Sequence, residues 1–168
     1  MEHKVIDDVV GLPYQNLIEQ TINSQSFEWY YVPTLTYEED SEHSGFVNTI
    51  FSSEHHIKKQ QMDILLPLLL EGVEDVKEIF RIRAVMWVKN QNKLPHLPHR
   101  DLNHDHNTML YYVNDSDGPT KIFDGDNVID EIEPKKGRAV IFSGDTYHAS
   151  STPRKNHNRV VLNFNYGI

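Results

Sequence analysis

Leu12, Leu17, Ile18 and Ile22 recur at the spacing of one helical face, and Pro13 sits near the start, where its missing N–H is tolerated. Residues 12–24 are therefore predicted to form a first helix whose apolar stripe packs on something flat. Residues 27–33 are aromatic and β-branched and read as a strand, whereas 37–45 are acidic and polar and read as an exposed loop. A second apolar face, made by Ile57, Met62, Leu65, Leu66 and Leu69, predicts a helix over 53–70. Pro67 interrupts it and either kinks the helix or restarts it.

From Val76 onward the pattern changes to short β-type runs at 76–88, 108–113, 120–123, 127–132, 138–142 and 160–166. Turn-forming stretches such as Asn-Asp-Ser-Asp-Gly-Pro and Pro-Lys-Lys-Gly separate them. Helical crossovers between the runs are missing, so the pattern predicts a sandwich or jelly roll rather than a parallel α/β sheet. No repeat, low-complexity tract or Gly/Ser linker divides the chain. The expectation is one domain over 1–168, mainly β with N-terminal helices: helical support in 1–75 and the β core in 76–168.

Composition narrows the chemistry. The hydrophobic fraction of 38% in 168 residues suits a folded domain with one core. No apolar run approaches the roughly 18–20 residues that cross a bilayer, and the first residues lack the plan of a signal peptide, so a soluble, cytoplasmic protein without a membrane partner is expected. The formal charge of -9 disfavours nucleic acid as a partner. There is no cysteine, so any transition metal has to be bound by imidazole and carboxylate.

The ten histidines concentrate in 41–57 and 94–108, and the second cluster contains His99-Arg-Asp101. Two residues apart in extended chain, His99 and Asp101 leave the same face of the backbone and can converge on one ion. His148, after the run 138–142 and the turn Ser143-Gly-Asp, would complete a set of two imidazoles and one carboxylate. Such a set covers one face of an octahedron and leaves three adjacent positions open, as a ferrous oxygenase requires. An H-x-D pair alone is a weak signal. Eleven residues after His148, Arg159 opens the run Arg159-Val-Val-Leu-Asn-Phe-Asn-Tyr166, and a guanidinium there suits a bidentate grip on a carboxylate. By alternation Val161, Asn163 and Asn165 share its face. A competing reading builds a zinc site from His104 and His106 with Asp101 or Asp105.

These pieces give the chain a resemblance to the 2-oxoglutarate and Fe(II)-dependent oxygenase superfamily, in its prolyl 4-hydroxylase-like branch with small phage-encoded relatives. The matching stretches are Arg81-Ile-Arg-Ala, His99-Arg-Asp101, Met109-Leu-Tyr-Tyr-Val-Asn114, Gly118-Pro-Thr-Lys-Ile-Phe123, Gly137-Arg-Ala-Val-Ile-Phe142, His148-Ala-Ser and Arg159 to Tyr166, in the family's order and spacing. The resemblance implies a double-stranded β-helix (a cupin-like jelly roll) with helices packed on one sheet. It also implies His99, Asp101 and His148 as iron ligands, Arg159 as the 2-oxoglutarate anchor and Tyr112 as a second donor to the cosubstrate's distal carboxylate. Asn163 is placed beside the cofactor or substrate. Fe(II), 2-oxoglutarate and O2 are the implied cofactors, and a small molecule or peptide, a prolyl or other amino-acid residue, is the implied substrate class.

The resemblance is imperfect in two places. Trp87 replaces a tyrosine common on the strand before the iron loop, and the loop 89–98 is proline-rich and distinct. Asp101 favours hydroxylation over halogenation, because related halogenases carry a small residue there and give that position to a halide. Two other functions compete. One is a cupin-like metal-binding module without turnover, which the intact triad and anchor oppose. The other is nucleobase dealkylation, opposed by the net charge and the lack of a basic aromatic groove.

Overall fold

The computed structural model describes residues 3–35, 43–90 and 96–168. In chain order its elements are β1 (His3–Ile6), α1 (Leu12–Ile22), β2 (Tyr30–Val32), β3 (Gly45–Ser52), β4 (Ile57–Lys58), α2 (Met62–Gly72), β5 (Glu78–Val88), β6 (Asn107–Tyr112), β7 (Thr120–Asp124), β8 (Asn127–Ile132), β9 (Ala139–Ser143), β10 (His148–Ala149) and β11 (Asn158–Gly167). The larger sheet runs β1-β9-β6-β11-β5-β3-β2, with β4 paired to β3, and the smaller runs β10-β7-β8. Every pairing is antiparallel.

The two faces of the larger sheet have different partners. One carries Ile82, Ala84, Met109, Tyr111, Leu162, Phe164 and Tyr166, and packs with Ile18 and Ile22 of α1 and Leu65, Leu68 and Leu69 of α2. On the other, Trp87, Leu110, Tyr112, Val140, Phe142 and Val161 meet Ile122 and Ile132 of the smaller sheet. The result is a double-stranded β-helix with helices on one sheet. Because β11 is covered on both faces, residues 159–166 are all buried, which is why that segment lacks a polar-out alternation.

Several sequence expectations need revision. In α1 the buried face is Gln15, Ile18 and Ile22, while Leu12 and Leu17 are exposed. Gln15 is held inside because its amide donates to Val10 O at 2.9 Å and to Asp8 Oδ1 at 3.0 Å. Gly137 closes over it: φ is +84°, and a Cβ there would come within 2.6 Å of the Gln15 amide. The second helix starts at Met62, not at 53, since residues 53–56 form the turn between β3 and β4. It runs through Pro67, and both Pro67 and Asp63, whose carbonyl loses its donor, lie on the exposed side of the helix, open to solvent.

The first 75 residues are not helical support alone, because β1, β2, β3 and β4 all join the larger sheet. β3 escapes a periodicity reading because its buried positions, Gly45, Asn48, Ile50 and Ser52, include only one large apolar residue. Lys59 makes the burial of Asn48 tolerable by donating to its Oδ1 at 2.7 Å. Most of the predicted acidic loop, at 36–42, lies outside the described residues, as do 91–95 of the loop 89–98. Among the described residues no helix is long and apolar enough to cross a membrane.

Candidate active site

Register builds the wall of the site. Between β5 and β11 the Cα partners are Trp87 with Arg159, Val85 with Val161, Arg83 with Asn163 and Arg81 with Asn165. β6 adds Tyr112 opposite Val161, Leu110 opposite Asn163 and Thr108 opposite Asn165. Alternation turns most of these side chains into the gap between the sheets, where a cavity is lined by Trp87, His99, Asp101, His148, Arg159 and Asn163, among others.

At one end of this cavity His99, Asp101 and His148 present ligand atoms that all lie within 4.8 Å of one another. Chain pairing brings the imidazoles together: His99 N donates to His148 O at 2.9 Å and His148 N to His99 O at 3.0 Å, which puts the ring centroids 4.5 Å apart. Each Nδ1 lies near the carbonyl oxygen two residues earlier, Leu97 at 3.4 Å and Thr146 at 3.2 Å. That arrangement directs Nε2 of both rings inward as a metal donor. Burial, seconded by the neighbouring His148, pushes His99 down to about 4, so its imidazole is neutral and able to ligate at neutral pH.

Asp101 is held more firmly still. Its Oδ2 accepts from Thr108 Oγ1 at 3.0 Å and Asn165 Nδ2 at 3.0 Å, and Asn163 Nδ2 donates to both oxygens, at 3.1 and 3.2 Å. Arg81 reaches Oδ1 at 3.4 Å while its Nε donates to Asn165 Oδ1 at 2.9 Å. Burial opposes ionisation, but His148, Arg81 and His99 outweigh it and hold the carboxyl well below the usual range. The donor set is two imidazoles and one carboxylate, which suits a divalent first-row ion with open coordination positions.

Deeper in the cavity Arg159 is 1% exposed, and no carboxylate pairs with it among the described residues. Its Nη2 donates to Thr120 Oγ1 at 2.7 Å and its Nη1 to Ser150 Oγ at 3.4 Å, while Nε has no partner. The guanidinium lies 4.7 Å from the Trp87 ring centroid and 5.5 Å from that of Tyr112. Tyr112 OH donates to Thr120 Oγ1 at 2.7 Å, so tyrosine and arginine converge on one hydroxyl. A buried cation with an orphaned N–H and only neutral partners suits an anionic ligand, and it lines the same cavity as the triad.

Nothing local in the sequence assigns a role to Thr120, Gly118, Ser150 or Thr108, or fixes the individual contacts of Arg81. Their signal was present in the alternation of β5, β6 and β7, but only the cross-strand register connects it to Asp101 and Arg159. Gly118 lies against the chain next to Ser150: a Cβ there would sit 2.3 Å from Ser151 O. Gly118→Ala is expected to destabilise the fold by about 1–3 kcal/mol and to weaken anion binding at Arg159. Urea unfolding and ligand titration together check this, and a variant with both properties unchanged would remove the packing argument.

His104 and His106 do not form a site with either aspartate. His104 meets Phe80 edge-on, His106 Nδ1 lies 2.7 Å from His104 O, and among the described residues the triad is the sole cluster of metal-ligating groups. His96 is buried beside Trp87, stacked on His43 at 3.8 Å, with Nε2 2.7 Å from Thr152 Oγ1. Burial, then the nearby His43, Arg159 and His99, pushes it down to about 3. The unfolded chain therefore takes up protons that the folded chain refuses, and stability that is full above pH 6.5 is lost as pH falls from there toward about 3. The loss is at most about 1.4 kcal/mol per pH unit for each such histidine. Urea unfolding of the metal-free protein between pH 7 and 4.5 is expected to show this slope, and His96→Phe to flatten it. An equal slope in the variant would assign the acid sensitivity elsewhere.

Comparison with known proteins gives the site its context. No curated protein matches the sequence significantly. Among solved structures, an oxidoreductase of the 2OG-Fe(II) oxygenase family from Burkholderia pseudomallei superposes with a TM-score of 0.74 at 14% identity, over 98% of this chain and 84% of that one. A Pseudomonas putida prolyl-4-hydroxylase gives 0.65 at 13%, over 99% and 92%. A Trichoplax adhaerens prolyl hydroxylase, solved with a peptide fragment of the hypoxia inducible factor oxygen degradation domain, gives 0.65 at 14%, over 98% and 82%. At these identities the likeness establishes the fold. The sequence profile of the 2OG-Fe(II) oxygenase superfamily matches residues 72–167, the stretch that supplies the triad, Tyr112, Thr120 and Arg159, and the chain belongs to that superfamily as a 2-oxoglutarate-dependent iron dioxygenase.

Proposed function

We propose that His99, Asp101 and His148 hold the iron, that Arg159 and Tyr112 receive the distal carboxylate of 2-oxoglutarate, and that the enzyme hydroxylates an unactivated C–H bond of an amino acid, free or within a peptide. One observation carries the reading: a two-imidazole, one-carboxylate cluster shares a cavity with a buried guanidinium that lacks a carboxylate partner. With O2 as the oxidant, the iron, when bound, would supply the centre that couples decarboxylation of 2-oxoglutarate to succinate and CO2 with insertion of the second oxygen atom into the C–H bond.

The chain's own groups orient and exclude. Asn163, Asn165, Thr108 and Arg81 fix the Asp101 carboxylate, so that its charge and direction are set before any ligand arrives. Asn163 acts here as a positioning residue rather than as a contact to 2-oxoglutarate. Trp87 and Tyr112 form apolar walls around the Arg159 fork and keep water from competing for it. Hydroxylation is favoured because Asp101 fills the position that a halide would need. An amino-acid substrate is supported by the likeness to the bacterial and animal prolyl hydroxylases.

Adding 2-oxoglutarate to the anaerobic Fe(II) protein is expected to produce the weak visible charge-transfer absorption of the chelate, and admission of O2 to give succinate. Absence of both would overturn the assignment of iron and cosubstrate to this cavity.

A further inference from the structure

Arg83 makes no hydrogen bond or salt bridge to any described residue, and its Nε is buried without a partner. It stands on the site-facing side of β5, two residues from Arg81 and four from Trp87, opposite Asn163 on β11 and Thr49 on β3. Both of those β5 neighbours are engaged: Arg81 with Asp101 and Asn165, Trp87 with Arg159. Arg83 lines the cavity of the triad and also an adjoining one, of about 290 Å³, whose other walls include Thr49, Ser52, Phe80, Arg81 and Leu102. The inner cavity is narrow, about 50 Å³, so a molecule bulkier than a slender acid has to keep most of its mass in the outer one.

Arg83 is half-buried and its Nε is enclosed without an acceptor, and a charged N–H left unpaired in this way is costly unless a ligand supplies the acceptor. Burial, with Arg81 alongside, pushes Arg83 down to about 10, which leaves it charged at neutral pH. The nearby acids are already placed. Asp101 already accepts five side-chain contacts and faces the triad, and Glu54 stands at the rim with 83% of its side chain exposed. One spare positive charge is left, which matches a monoanionic carboxylate; a dianionic phosphate would bring an uncompensated charge close to Asp101. Two residues along a strand span roughly 7 Å, so a carboxylate on Arg83 leaves a carbon a few bonds away beside the triad.

We infer that Arg83 is a specificity-determining residue that binds a carboxylate of the substrate, so that the enzyme acts on a small carboxylic acid such as a free amino acid. The inference rests on the proposed oxygenase reading of the same cavity.

The experiment records the Fe(II)–2-oxoglutarate absorption first, in wild type and in Arg83→Gln, and then succinate release with the free L-amino acids and with their primary amides, which keep the ammonium group and lack only the carboxylate charge. At least one free acid is expected to stimulate release. Its amide is expected to need about 10- to 100-fold higher concentration, because a charge-assisted pair is lost. Arg83→Gln should raise the requirement for the acid by a similar factor and erase the difference from the amide, and Arg83→Lys should restore part of it. The absorption in Arg83→Gln is expected to titrate at the wild-type 2-oxoglutarate concentration, which also reports an intact fold.

If wild type gives no absorption, the oxygenase reading fails and takes the inference with it. If the absorption forms, any of four results overturns the inference alone. These are no acid stimulating, acid and amide performing equally, discrimination persisting in Arg83→Gln, or a shift in the 2-oxoglutarate requirement instead of the substrate's.

Discussion

Asp101→Ala is expected to abolish turnover and to reduce metal affinity by more than the roughly 10- to 100-fold that follows loss of an outer partner of a ligand. The alanine removes the one anionic donor from the triad, and the two imidazoles that remain do not balance a divalent charge. It also leaves Arg81, with 19% of its side chain exposed, and the amides of Asn163 and Asn165 without their common acceptor. Breaking a buried pair in this way costs about 3–5 kcal/mol, so part of the lost activity could be lost fold. Asp101→Asn separates the two effects. It preserves volume and one acceptor oxygen but not the charge, and it is expected to fold better than the alanine variant while still failing to retain Fe(II), or Mn(II) used as a redox-silent substitute. Metal affinity equal to wild type in Asp101→Asn would remove the carboxylate from the ligand set. Asn163→Ala and Asn165→Ala, which disturb only its orientation, are expected to fall in the 10- to 100-fold range.

Arg159→Met should raise the 2-oxoglutarate concentration needed for half-maximal chelate absorption by roughly 100-fold or more, since each hydrogen bond to a charged group contributes about 1.5–3 kcal/mol and two are lost. Methionine keeps the aliphatic contact between Trp87 and Tyr112, so the measurement isolates the fork. Lysine at this position is expected to recover little, because a point charge neither forks a carboxylate nor stacks on the indole in the same way. There is also a signature in stability. Burial lowers the pKa of Arg159 and makes its charge costly in the free protein, and a bound dicarboxylate relieves that cost. 2-Oxoglutarate should therefore raise the Tm of the metal-loaded wild type and leave that of Arg159→Met nearly unmoved. Unchanged cosubstrate affinity in the variant would refute the anchor.

The parts of this protein that were legible in its sequence are those written locally. The short β runs from Val76 onward follow from residue type and turn punctuation, and the structure places strands at each of them. Two-residue periodicity was enough to put Arg159, Asn163 and Asn165 together on one face, which the structure turns toward the site. Spacing and residue type singled out His99 and His148 from ten histidines, together with Asp101, because imidazole and carboxylate are the donors available to a chain without cysteine, and the structure gathers the three.

What the sequence left out is whatever depends on which strand lies beside which. Of the strands before Val76, β2 lies inside the predicted run 27–33, but β1, β3 and β4 were not foreseen: β1 lies at the sheet edge, and β3 buries Asn48 and Ser52, polar residues made acceptable by Lys59 and His55 beyond the strand. The same holds inside the site. That Thr120 joins Tyr112 to Arg159, that four side chains from three strands converge on Asp101, and that Arg83 is left without a partner are consequences of register. Periodicity fixes the face on which a side chain stands, since that is a property of one strand. Its partner across the sheet is a property of two, and only the folded chain, by choosing the pairing that buries both faces of β11, decides it.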